Sequence, residues 1–162
     1  MGIIREVRRD DIADCVDLIR KSFLTVAESY GITEENAPRF TAFATTAERL
    51  YNQMDEGRPM YLYEEDGRIV GYYSLLIMDN NECELNNLAV LPDFRHKGIG
   101  KKLLEHSFDM ARDMGCRKML IGIVEENQPL RKWYEENGAV HLGTRKFDFF
   151  PFTCGYLTKE IK

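Results

Sequence analysis

Residues 82–124 constrain the fold of this chain more than any other stretch. Residues 82–91 read as a strand ending in Leu88-Ala89-Val90-Leu91, and 92–97 read as a loop. Ile99, Leu103, Leu104, Phe108, Ala111 and Met114 then fall on one helical face, and Gly115 supplies a C-cap. Residues 118–124 are nearly all apolar, which reads as a strand buried on both faces. Strand, helix and strand in this order predict a parallel pair with a right-handed crossover. Together with the hairpins described next, this reads as a mixed α/β sandwich with one central sheet.

The flanking segments fill in that sheet. Residues 3–7 read as a first strand, and Asp10 and Asp11 offer an N-cap to a helix carrying Ile12, Val16, Ile19 and Phe23. After Tyr30-Gly31, one second helix is expected through Phe40, Phe43, Ala47, Leu50 and Met54. Residues 60–64 and 69–78 flank Asp66-Gly67 and read as a hairpin. Pro129 suits the first turn of a helix carrying Leu130, Trp133 and Tyr134 and ending at Asn137-Gly138. Residues 141–147 and 154–161 read as closing strands. The order is β-α-α-β-β-β-α-β-α-β-β, an α/β (α+β) fold with a mixed, mostly antiparallel sheet of about seven strands. With 162 residues, the chain reads as a single domain, 1–162.

The turn between the fourth strand and its helix is chemically distinctive. It reads Arg95-His96-Lys97-Gly98-Ile99-Gly100-Lys101-Lys102. Two glycines let backbone approach a ligand, and a helix N-terminus offers N–H groups and partial positive charge to an anion. Cations are normally disfavoured at that end of a helix. Four of them cluster here in a chain of net charge −5, and an anionic ligand would explain them; the plainer alternative is a solvated basic turn. GxxxxGK[ST] is absent, as is the six-residue GxGxxG, so neither a P-loop nor a Rossmann site is expected.

From Leu88 to Gly100 these residues resemble motif A of the GNAT N-acetyltransferase superfamily: an apolar strand, a short loop, then Arg95-His96-Lys97-Gly98-Ile99-Gly100. Asn127, followed seven residues later by Tyr134, resembles the family's motif B, and the element order agrees along nearly the whole chain. Ala139 departs from the Phe that many members carry after the glycine at 138. The resemblance implies acetyl-CoA as co-substrate, lying where the fourth and fifth strands splay apart. Leu88, Ala89 and Val90 would pair with the pantetheine arm like an added strand. N–H groups of Arg95, His96, Lys97, Gly98, Ile99 and Gly100 would cradle the pyrophosphate, and Lys97, Lys101 or Lys102 would meet the ribose phosphate.

The implied reaction is direct acetyl transfer to a primary amine in a ternary complex. An alkylamine has a pKa near 10.4, so a base must remove its proton. An N–H near Leu88 or Val90 would stabilise the oxyanion. Tyr134 matches the family's general acid for the leaving thiolate; a half-buried core tyrosine is the plainer reading. Asn127 would bond the pantetheine, cap the helix, or both. Glu84 is the candidate base, with Glu82 as competitor and a solvated edge charge as the alternative. Strand alternation puts Glu84, Asn86, Leu88 and Val90 on one face, unless a bulge changes the parity.

Phe40 and Phe43, with Phe147, Phe149, Phe150 and Phe152 and help from Tyr72 and Tyr73, are expected either to wall an apolar acceptor slot or to be ordinary core or a dimer surface. The amine stays open among small metabolites, polyamines, aminoglycosides, lysines and peptide N-termini, and a homodimer stays open too. A pI near 5.3 disfavours nucleic acid and anionic membrane and tilts toward amines. Cys15, Cys83, Cys116 and Cys154 form no CxxC, so no metal site is expected; buried reduced thiols are, and Cys154 matters only if exposed. No apolar leader segment is evident, and a cytoplasmic protein is expected. The alternative to an enzyme is a non-catalytic acyl-CoA-binding or sensing domain on the same fold.

Overall fold

The computed structural model describes residues 2–162; Met1, counted in the one-domain reading, lies outside them. Seven strands form one sheet: β1 (Gly2–Glu6), β2 (Met60–Glu65), β3 (Arg68–Ile77), β4 (Glu82–Val90), β5 (Lys118–Val124), β6 (Val140–Lys146) and β7 (Thr153–Glu160). Their spatial order is β1-β2-β3-β4-β5-β7-β6, and only β4 and β5 run parallel. Asp66 and Gly67, with φ of 51° and 78°, make the tight turn between β2 and β3.

The helices are α1 (Ile12–Ser29), α2 (Thr41–Ala44), α3 (Ala47–Asp55), α4 (Ile99–Asp113) and α5 (Gln128–Glu136). α1 and α4 both pack on β3 and β4, from opposite faces. Alternation along β3 shows why: Tyr73 reaches His106 of α4, so Tyr72 points to the α1 side. Gly71 lets α4 come close, because a Cβ there would lie 2.7 Å from Leu103 Cδ1. Ile12, Cys15, Leu18 and Ile19 bury the inner stripe of α1.

Three local expectations are corrected. The single helix expected through Phe40 to Met54 is two, broken at Thr45-Thr46. Arg20 of α1 holds Thr45 O at 2.9 Å, and the Thr46 side chain accepts from Arg49 N–H, restarting the helix as an N-cap. Asp11 does not cap α1. Its carboxylate takes Arg8 N–H at 2.7 Å and the Arg5 guanidinium at 2.8 Å, pinning β1 to the turn before the helix. β5 is not buried on both faces, since Gly122 is exposed and Leu120 half-buried.

Candidate functional site

β4 and β5 pair only from Glu82 to Leu85 against Lys118 to Ile121, then part. The gap opens a cavity of about 690 Å³, lined by Leu85 and Asn87 to Val90 on one side and Ile121 to Val124 on the other. A bulge makes the divergence. Asn87 has φ of 55°, and the register against β3 slips between the Tyr72–Ala89 and Ser74–Asn86 pairs. The bulge also corrects the facing of the strand. Glu84 and Asn86 point to the α1 side with Leu76 and Ser74, whereas Val90 approaches Gly100 on the α4 side.

One end of the cavity is the basic turn. His96 and Gly98 both adopt left-handed φ, 64° and 84°. The first helical bond of α4 runs from Lys102 N–H to Gly98 O at 3.1 Å, so the N–H groups just before it form the unpaired start of a helix. Gly100 keeps the wall thin: Trp133 Cζ2 of α5 would lie 3.6 Å from a Cβ there. His96, Gly98, Gly100 and Lys101 line the cavity, but Lys97 stacks over Phe94, Ile99 is buried in the core, and neither Lys97 nor Lys102 reaches the lining.

Arg95 is not a free cation. Its guanidinium donates to Ser22 O and Oγ, each at 3.0 Å, to Thr25 Oγ1 at 2.9 Å, and to Val90 O at 3.3 Å. It straps the turn to α1 and β4, and its N–H is already engaged with Pro92 O.

Another part of the lining comes from α5. Tyr134 is 6% exposed and lines the cavity, and burial pushes its phenol above the usual range, keeping it protonated. Asn127 Oδ1 accepts from Leu130 N–H at 3.3 Å and from the Tyr30 hydroxyl at 3.2 Å, which leaves its amide N–H groups as donors. The loop carrying Asn127 is anchored by Glu125, which holds Arg131 and His141 at 2.9 Å each.

Glu84 lies beside the cavity rather than in its lining, paired across β5 to Leu120. Desolvation raises its carboxyl above the usual range, against the pull of Arg58. Its charge is felt by Tyr156, which does line the cavity. Glu82 pairs instead with Lys118 at the strand's start, 3.7 Å away.

The aromatic segments divide. Phe40, Phe150 and Phe152 line the cavity; Phe43, Phe147 and Phe149 do not, and Tyr72 and Tyr73 are fully buried core residues, not acceptor walls. Cys15, Cys83 and Cys116 are buried as expected, but Cys154 is half-buried and lines the cavity, its thiol pushed up by burial. Sequence reasoning missed Arg39, Phe23, Val26, Trp133 and Tyr156 as lining residues. Only Phe23 and Val26 carried a local signal, a helical spacing with Ser22 that continues the stripe of α1. Among the described residues, no cluster of His, Cys, Asp or Glu could hold a metal ion, and no helix is long and apolar enough to cross a membrane.

The splayed parallel pair, bulged strand and basic turn together frame one cleft on a mixed sheet. The model of the acetyltransferase (GNAT) family matches residues 26–139, so the chain belongs to the GNAT family of acetyltransferases. An uncharacterized N-acetyltransferase of Mycobacterium tuberculosis is 32% identical over 93 residues, which is 57% of this chain and 60% of that protein. The chain thus spans 60% of the length of that curated relative. Among solved structures, the PaiA N-acetyltransferase of Thermoplasma acidophilum in complex with coenzyme A superposes with a TM-score of 0.85 at 20% identity, covering 99% of each chain. The ribosomal-protein-S18-alanine N-acetyltransferase of Escherichia coli gives 0.80 at 17% identity, covering 100% of this chain and 95% of that one. At these identities the two structures share the fold.

Proposed function

We propose that residues 1–162 act as one N-acetyltransferase domain that moves an acetyl group from acetyl-CoA to a primary amine by direct attack in a ternary complex. The observation that carries this reading is the cavity at the β4–β5 divergence. It has unpaired helix N–H groups at one end and a protonated, buried tyrosine in its wall. Coenzyme A bound to the Thermoplasma protein supports the donor. Three buried free cysteines fit a reducing compartment such as the cytoplasm.

N–H groups from His96 to Lys101 receive the pyrophosphate, with Lys101 adding charge. Backbone of Leu88, Ala89 and Val90 pairs with the pantetheine arm where β5 has moved away. The Asn127 amide donates to the same arm. When bound, acetyl-CoA supplies an activated thioester.

Glu84 takes the first ammonium proton through water, since it stands outside the lining. The amine nitrogen then bonds the acetyl carbon and releases its second proton to water, from which the Tyr134 phenol is restored after transfer. An N–H at the bulged part of β4 holds the charge that develops on the carbonyl oxygen. Tyr134 gives its phenolic proton to the sulfur as the C–S bond breaks.

The test is amine-dependent thiol release from acetyl-CoA, wild type beside Tyr134→Phe. Loss of the hydroxyl should lower kcat by about 100-fold or more with acetyl-CoA affinity kept. Unchanged kcat removes Tyr134 as the acid. Donor binding with no thiol release for any amine favours the acyl-CoA-binding or sensing alternative.

A further inference from the structure

The cavity also carries a charge in its lining outside the basic turn. Arg39 lines it from the segment between α1 and α2 and forms no ion pair among the described residues. Arg39 is exposed, and its guanidinium carbon lies 4.6 Å from the ring centroid of Phe149, a stacking contact that leaves its charge unneutralised. From there a run of rings leads inward: Phe149 to Phe150 at 4.7 Å, Phe150 to Phe152 at 4.6 Å, Phe152 to Phe40 at 5.6 Å, and Phe40 to Phe23 at 6.2 Å.

The lining is also one-sided in charge. Its formally charged side chains are Arg39, Arg95 and Lys101, and no carboxylate lines it. The chain as a whole is acidic, at −5, so the local sign is opposite to the global one. A polycationic acceptor, such as a polyamine or an aminoglycoside, would find no carboxylate among the lining side chains, with Glu84 standing outside them. Lys101 stands with the basic turn, where donor phosphates account for it. Arg95 is consumed by α1. Arg39, exposed beside Phe149 where the aromatic run begins, is paired with no carboxylate among the described residues.

Resting on the acetyltransferase reading, we propose that the acceptor is an amine bearing both a bulky apolar or aromatic group and a carboxylate, in the manner of a hydrophobic amino acid. Arg39 receives the carboxylate through its planar fork. Phe23, Phe40, Phe150 and Phe152 cover the apolar group. The free amine is left toward the β4–β5 divergence. Arg39 is a specificity residue here: it binds substrate and takes no part in the proton transfers.

Matched acceptors test this directly. Initial rates of thiol release are measured for phenylalanine against phenethylamine and for leucine against 3-methylbutylamine, each pair differing only in the carboxylate. Wild type should favour the carboxylate-bearing member in kcat/KM by about 10- to 100-fold. Arg39→Ala should bring each ratio close to unity through KM, with kcat and the KM for acetyl-CoA unchanged, and Arg39→Lys should restore part of the preference. Ratios that persist in Arg39→Ala overturn the proposal. So does a raised KM for acetyl-CoA, which would assign the guanidinium to donor phosphates. Equal turnover of both members by wild type overturns the acceptor class and leaves the acetyltransferase standing. No turnover of any amine, with donor binding intact, overturns both.

Discussion

Replacing Arg95 by alanine should destabilise the protein rather than selectively weaken donor binding. Three of its four hydrogen bonds, to Ser22 O, Ser22 Oγ and Thr25 Oγ1, are 3.0 Å or shorter. The fourth, to Val90 O, is 3.3 Å and contributes little. A bond from a charged donor contributes about 1.5–3 kcal/mol net. The three share one guanidinium, and Ser22 lines the cavity, so water can reach the groups left behind. The sum is therefore less than additive, about 2–4 kcal/mol. At roughly 2–4 °C per kcal/mol for a chain of this size, Tm should fall by about 4–16 °C. Arg95→Lys keeps the charge, but a single ammonium cannot reach all three acceptors, so it should recover only part of the loss. Thermal melts give the stability, and calorimetric titration with acetyl-CoA, at a temperature where the variant is folded, gives the affinity. A Tm within about 2 °C of wild type, together with a tenfold loss of affinity, would show that the guanidinium serves phosphate and would refute the strap.

Gly71→Ala should cost about 1–3 kcal/mol in urea melts, because the new Cβ would sit 2.7 Å from the fully buried Leu103 and the backbone of β3 cannot retreat. Asp11 is held below the usual carboxylate range, first by hydrogen bonds from Arg5 and against the opposing effect of burial, with Arg8 N–H adding to the depression. Its folded value is lower than its unfolded one, so the stabilisation is present above an unfolded value of about 3.9 and is lost as pH falls through the folded value. Asp11→Asn should therefore show a shallower loss of stability below about pH 4 in urea melts than wild type, and an identical slope would remove Asp11 from that balance. Glu84 is raised by desolvation, and a base works only when ionised, so the acid limb of kcat/KM should lie above the ordinary carboxylate value of about 4.3. Glu84→Gln should lower kcat about 100-fold and abolish that limb; a variant with wild-type kcat would hand the proton to water alone.

Much of the fold was legible because each signal was local. The Asp66-Gly67 turn, the stripe on α4 and the Asn127–Pro129 helix start each report on backbone preferences within a few residues. Where the expectation failed, a distant partner or a local irregularity had decided the matter. Thr45-Thr46 breaks the second helix because Arg20, on another helix, holds Thr45 O. Strand alternation misplaced Glu84 relative to Val90 because the left-handed Asn87 absorbs an extra residue against β3.

The order of amino acids carries the family signature, in the motif from Leu88 to Gly100, the Asn127–Tyr134 spacing and the succession of elements. These are near neighbours in the chain, and the backbone geometry they require is short-range. It also determined which residues are basic in the turn, but not which of those charges are free. Tertiary structure alone decided that Arg95 turns inward to α1 while Lys101 faces the cavity. It alone set Arg39 against Phe149, more than a hundred residues away in the chain. The reason is physical. Whether a charged side chain becomes a strap or a receptor depends on which acceptors surround it, and those acceptors arrive only when the chain closes on itself.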